Sequence, residues 1–165
     1  MNIDGITEYL KKRFVKLDSS VFHDEDNRGN LFNELIYPNE HQPNMPITVT
    51  VSDEGCLISV GQISNVTGDY PITHEQAAEA IDDIINDRII FVLGYNDDND
   101  IGFGAPFMTE IFAITGSVDD MSAELEKFIT KISTPLSKFK RRFTRLKGRF
   151  IITNFSGSEN KIIIR

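Results

Sequence analysis

In the segment Ile47-Thr48-Val49-Thr50-Val51, apolar and polar side chains alternate and every residue is β-branched. Alternation with period two gives an extended strand one apolar and one polar face, and β-branching lowers the propensity for helix. Asp53-Glu54-Gly55 then supplies turn chemistry, and Cys56-Leu57-Ile58-Ser59-Val60 runs back. The pattern predicts a β-hairpin over residues 47–60, and whatever else the chain forms has to cover that hairpin's apolar face.

The flanking sequence predicts more strands than crossovers. Asp4 is placed to cap a first helix in which Ile6, Tyr9, Leu10, Phe14 and Leu17 recur at helical spacing, with Lys11, Lys12, Arg13 and Lys16 around them. Residues 23–30 lack any apolar side chain and read as an exposed acidic loop, and residues 31–37 suit either a strand or a short helix. Thr73 and Gln76 have capping-box spacing ahead of Ala77, Ala78, Ile81, Ile84 and Ile85, with Glu79, Asp82, Asp83 and Asp87 on the opposite face. Residues 88–95 are almost continuously apolar, the pattern of a central strand covered on both faces.

An acidic loop over residues 96–102 leads to a returning strand over 107–114. Ser117 and Asp120 open a helix carrying Val118, Met121, Leu125, Phe128, Ile129 and Ile132, and Thr134-Pro135 starts another. Residues 149–155 and 161–165 form a C-terminal hairpin around a turn at 156–160. With hairpins dominating and connections short, the expected fold is α+β: a single domain over residues 1–165, built on a largely antiparallel β-sheet with helices packed on it.

Composition narrows the setting. The chain has 165 residues, 40% hydrophobic and 25% charged, which suits a globular domain and excludes disordered or collagen-like classes. Its longest apolar run, residues 89–93, is far below a membrane-spanning length, and the start Met1-Asn2-Ile3-Asp4 lacks a signal-peptide pattern. The expected location is the cytoplasm. One cysteine, Cys56, excludes an internal disulfide framework and a cysteine-rich zinc site.

Charge is divided along the chain. Residues 1–130 hold 24 Asp and Glu against 7 Lys and Arg, net −17, whereas residues 131–165 hold 10 basic side chains against Glu159, net +9. Between residues 18 and 126 the basic residues are Arg28 and Arg88 alone, against 22 acids, so local ion pairs leave most of that charge to water or a partner.

Catalytic and cofactor signatures are not evident. The acidic stretches 24–26 and 97–100 do not follow EF-hand spacing, and exposed polar turns account for them. His23, His41 and His74 are widely separated, and Cys56 has no nearby basic group to activate its thiol, so it reads as a packing residue. Gly102-Phe103-Gly104 precedes a strand instead of opening a helix, which does not suit a phosphate cradle. The expectation is a protein that is not an enzyme and uses no cofactor and no metal. A basic helix over residues 136–149 sets Leu136, Phe139, Phe143, Leu146 and Phe150 against Lys138, Lys140, Arg141, Arg142, Arg145 and Lys147; its apolar stripe is needed by the domain's own core.

In size, acidity and order of elements, the whole chain resembles the immunity proteins of polymorphic-toxin and contact-dependent growth-inhibition systems. The likeness lies in overall character and carries no motif, so no functional residue transfers from it. It implies a cytoplasmic toxin inhibitor acting through protein–protein interaction. The cognate toxin domain would be basic, with a nuclease among the candidates, and its active site would be masked.

An acidic inhibitor suits a phosphate-binding cleft because carboxylates can occupy the places of phosphates, and opposed potentials speed encounter. The acidic contacts expected are Asp97, Asp98, Asp100, Asp82 and Asp83, with Tyr95, Tyr70 or Phe103 as an aromatic anchor. Membrane and nucleic acid are not the expected partners. Two other readings use different surfaces: a secretion or assembly chaperone with an exposed apolar groove, and an adaptor binding nucleic acid or membrane through the basic helix 136–149.

Overall fold

The computed structural model describes residues 2–25, 29, 31–95, 108–113, 127, 149–158 and 160–164. Two compact units divide the chain, Met1–Asn86 and Asp87–Arg165.

The first unit opens with helix α1 (Ile3–Arg13). Asn2 caps it, not Asp4: Asn2 has extended backbone angles, and its Oδ1 accepts from Gly5 N–H at 2.9 Å. A cap must stand outside the helical turn, and Asp4 lies within the first turn, where its charge favours the positive end of the helix dipole. Phe14 is extended and ends the helix, so Phe14 and Leu17 are buried beyond its last turn and not along it.

Four strands follow: β1 (Asp18–Glu25), β2 (Leu31–Tyr37), β3 (Ile47–Ser52) and β4 (Cys56–Val60). They form an antiparallel sheet in the order β1-β2-β3-β4. The expected hairpin is β3–β4, with Val49 opposite Ile58 and Val51 opposite Cys56. Residues 31–37 are strand, and pairing continues through Glu25, part of the stretch that its polarity marked as loop. A terminal strand needs only backbone partners on one side and tolerates charge, so hydropathy alone does not find its end.

Along β2, β3 and β4 the inward residues are Asn33, Leu35, Ile47, Val49, Val51, Cys56, Ile58 and Val60, all buried. Helix α2 (His74–Ile85) carries the expected capping box, with Gln76 N–H donating to Thr73 Oγ1 at 3.3 Å and Thr73 N–H donating to Gln76 Oε1 at 2.9 Å. Helix α1 packs on β2 and β3, and α2 packs on β4 and on α1. Asn33 Nδ2 donates to Thr7 Oγ1 at 3.0 Å, a buried polar tie between β2 and α1.

The connection from β4 to α2 runs back along β4. Val66 N–H donates to Ile58 O at 2.9 Å, Val60 N–H to Ile63 O at 2.9 Å, and Cys56 N–H to Ile72 O at 2.8 Å. These bonds occupy the outer edge of β4, so a further strand cannot add there. Gly61 permits the reversal: its φ is +56°, and a Cβ would stand 2.6 Å from Asn44 O.

The second unit therefore builds its own sheet. Strands β5 (Ile89–Tyr95), β6 (Met108–Ala113), β7 (Arg149–Thr153) and β8 (Asn160–Ile164) pair antiparallel in the order β6-β5-β7-β8. As its apolar run predicts, β5 is central, and residues 90–95 are buried. Asp87 has a left-handed φ of +57°, and its Oδ1 accepts from Ser156 N–H at 2.8 Å, tying the start of β5 to the β7–β8 turn. The helices expected over 117–132 and 136–149 lie outside the described residues, apart from the exposed, helical Lys127 and Arg149, which begins β7. The class is α+β, with two antiparallel sheets where the sequence suggested one.

Candidate interaction surface

Three segments of the first unit converge on one edge of the sheet. The β3–β4 turn is closed by Ser52 N–H donating to Gly55 O at 2.9 Å, leaving Asp53 and Glu54 exposed. Gly55 has a φ of +146°, and a Cβ there would lie 2.6 Å from Ile72 O and 2.9 Å from Pro71 Cβ, so the turn sits directly against residues 71 and 72. Asp69 and Tyr70 immediately precede them, both exposed, with the Tyr70 ring at 50%.

The third segment is the start of α2. Glu75 is exposed, and its carboxyl is held below the usual carboxylate range by its own backbone N–H and then by the Thr73 hydroxyl. It therefore stays ionised. His74 Nε2 lies 2.8 Å from Glu75 Oε1, and the His74 ring meets the Tyr9 ring edge-on at 5.0 Å between centroids. Beneath this surface, burial pushes the Cys56 thiol up to about 11, with the Glu75 charge adding to the effect. The thiol is thus a packing group and not a nucleophile.

Helix α2 extends the negative surface. Glu75, Glu79 and Asp83 follow one another at intervals of four residues, Asp82 lies beside them, and no basic side chain occupies the last turn. Acids at this spacing repel, and those near the C-terminus oppose the helix dipole, so the local sequence carries an electrostatic cost that helix formation does not require. Residues 1–86 hold 15 acidic and 5 basic side chains, net −10.

Of the site residues expected from sequence, Tyr70 is exposed beside this cluster, and Asp82 and Asp83 are half-buried on α2. Tyr95 is 8% exposed at the end of β5, and burial raises its phenol pKa. A ring already buried in its own unit is not available as an anchor for a partner, which removes Tyr95 from that role. Asp97, Asp98, Asp100 and Phe103 lie outside the described residues. Sequence reasoning passed over Asp53, Glu54, Asp69 and Glu75, because their proximity depends on the Cys56–Ile72 pairing, which no local pattern signals.

Among the described residues, no group of three His, Cys, Asp or Glu side chains is placed to hold a metal ion, and no helix is long and apolar enough to cross a membrane. These features define an α+β protein with an acidic, tyrosine-bearing surface. Comparison with protein families, with curated proteins and with solved structures finds no match.

Proposed function

We propose that the protein is an immunity protein: a cytoplasmic binding protein, not an enzyme, that neutralises a cognate basic toxin domain by masking its active site. The observation that carries this reading is the exposed Tyr70, next to Asp69 in the chain, on the segment whose Pro71 and Ile72 are held against the Asp53-Glu54-Gly55 turn by the Cys56–Ile72 pairing, with the exposed Glu75 three residues after Ile72. An aromatic ring among carboxylates offers an anchor together with a field that draws in a basic partner. The carboxylates take the places of phosphates in the toxin's cleft, and Asp82 and Asp83 on α2 extend the negative surface. Acids at the C-terminal end of α2 cost helix stability, which is understandable where charge serves binding.

The test is capture from the source cell's lysate on the immobilised full-length chain, eluted with rising salt, beside a variant carrying Asp53→Asn, Glu54→Gln, Asp69→Asn and Tyr70→Ala. The expected result is one stoichiometric basic protein that is toxic when expressed alone, is tolerated when co-expressed with the wild-type chain, and is lost from the variant. Retention of the same protein by the variant, or an empty eluate from the wild type, overturns the reading.

A further inference from the structure

The acidic first unit has one concentrated basic spot. Four of its five basic residues, Lys11, Lys12, Arg13 and Lys16, fall within six positions at the end of α1. Three of them line an open groove of about 770 Å³ together with Val15, Leu17, Asp18, Ile36 and Pro38. Its lining is apolar between the lysines: Leu17 is 1% exposed, Ile36 is half-buried, and Val15, between Lys12 and Lys16, stands 92% exposed.

We propose that this groove docks a short segment of a partner protein, an apolar side chain flanked by carboxylates, at a site separate from the acidic surface around Tyr70. The apolar lining receives the side chain and the lysines receive the carboxylates. Lys16 Nζ is 2.8 Å from Glu40 Oε1 in an exposed pair, where exchange of one carboxylate for another costs little, and the half-buried Lys11 has its Nζ 3.5 Å from Asp18 Oδ1. Lys12 makes no ion pair among the described residues. Arg13 turns elsewhere, with Nη1 3.4 Å from the Tyr9 hydroxyl and its guanidinium 5.7 Å from the Phe14 ring centre.

The size of the basic spot selects a short segment over a polyanion. Screening limits exposed charges to a range of about 8 Å at physiological salt, so carboxylates seated in the groove feel Lys11, Lys12 and Lys16, offset in part by the adjacent Asp18 and Glu40, more than the acids elsewhere in the unit. A nucleic acid strand would run on over a unit of net charge −10, and an anionic membrane would face the same repulsion across a wider area.

The proposal is tested by panning a random dodecapeptide display library on the full-length chain, then measuring fluorescence anisotropy of the enriched peptides. The comparison proteins are a Lys12→Glu, Lys16→Glu double variant, Val15→Asp, and the Tyr70 cluster variant described above, each checked for an unchanged circular dichroism spectrum. The expected peptides carry Asp or Glu beside Leu, Ile or Phe, bind more weakly as salt rises, lose about tenfold or more with the lysine variant, weaken with Val15→Asp, and bind the Tyr70 variant unchanged. No enrichment, or enriched peptides that bind the lysine variant as well as the wild type, overturns the proposal. Loss of binding in the Tyr70 variant alone assigns the peptides to the other surface and also overturns it.

Discussion

Cys56 and Ile72 pair through their backbones, with Cys56 N–H donating to Ile72 O at 2.8 Å and Ile72 N–H donating to Cys56 O at 3.2 Å. This bridge closes the outer edge of β4 and lays the Asp69-Tyr70-Pro71 segment against the β3–β4 turn. One local pairing thus ends the first sheet and assembles the candidate surface.

Gly55→Ala strikes that junction. The new methyl would meet Ile72 O at 2.6 Å on a residue with φ of +146°, where side chains are strained. The expected loss is about 2 kcal/mol, the scale of a strained backbone position, read as a lower urea midpoint with an unchanged m value.

The Asn33–Thr7 tie should behave as a coupled pair. Thr7→Val removes the acceptor of a buried hydrogen bond and should cost about 1–3 kcal/mol, and Asn33→Leu should be costly as well. The Thr7→Val, Asn33→Leu double variant should lose less than the two single variants together. Additive losses in a double-mutant cycle would mean that the bond contributes nothing specific.

The Cys56 thiol makes stability depend on alkaline pH. Its folded pKa of about 11 lies above the unfolded value of 9.0, so the folded chain holds this proton where the unfolded chain releases it. The contribution is full below 9.0 and is lost as pH rises through about 11. Urea denaturation between these limits should show a steeper decline for the wild type than for Cys56→Ala, and native Cys56 should resist thiol reagents at neutral pH.

Glu79→Lys should stabilise the protein. The residue is exposed, and a lysine there would face Glu75 and Asp83 one turn away on either side. A gain of about 0.5 kcal/mol in urea denaturation is expected. Association with the proposed basic partner should slow in stopped-flow measurements, since the same substitution weakens the attracting field.

Local pattern was enough for several elements. The alternation of residues 47–51 with the Asp53-Glu54-Gly55 turn specified the β3–β4 hairpin, the Thr73 and Gln76 spacing specified the start of α2, and the apolar run after Arg88 specified a central strand. Each of these signals is contained within about a dozen residues, where propensity, capping and periodicity act through near neighbours. Strand β1 (Asp18–Glu25) was not legible at all, because strand pairing at a sheet edge requires no alternating apolar pattern.

What the amino-acid sequence determined by itself was the α+β class, the antiparallel hairpins and a strongly acidic first half. Tertiary structure decided that β4 is sealed by its own connection, so that β5 begins a second sheet, and that Tyr70 is exposed while Tyr95 is buried. Asp69 directly precedes Tyr70 and Asp97 follows Tyr95 by two residues, so both tyrosines stand close to acidic residues in the sequence. Burial and edge pairing depend on which distant segments meet, and that is settled by packing of the whole unit and not by the periodicity of any one segment.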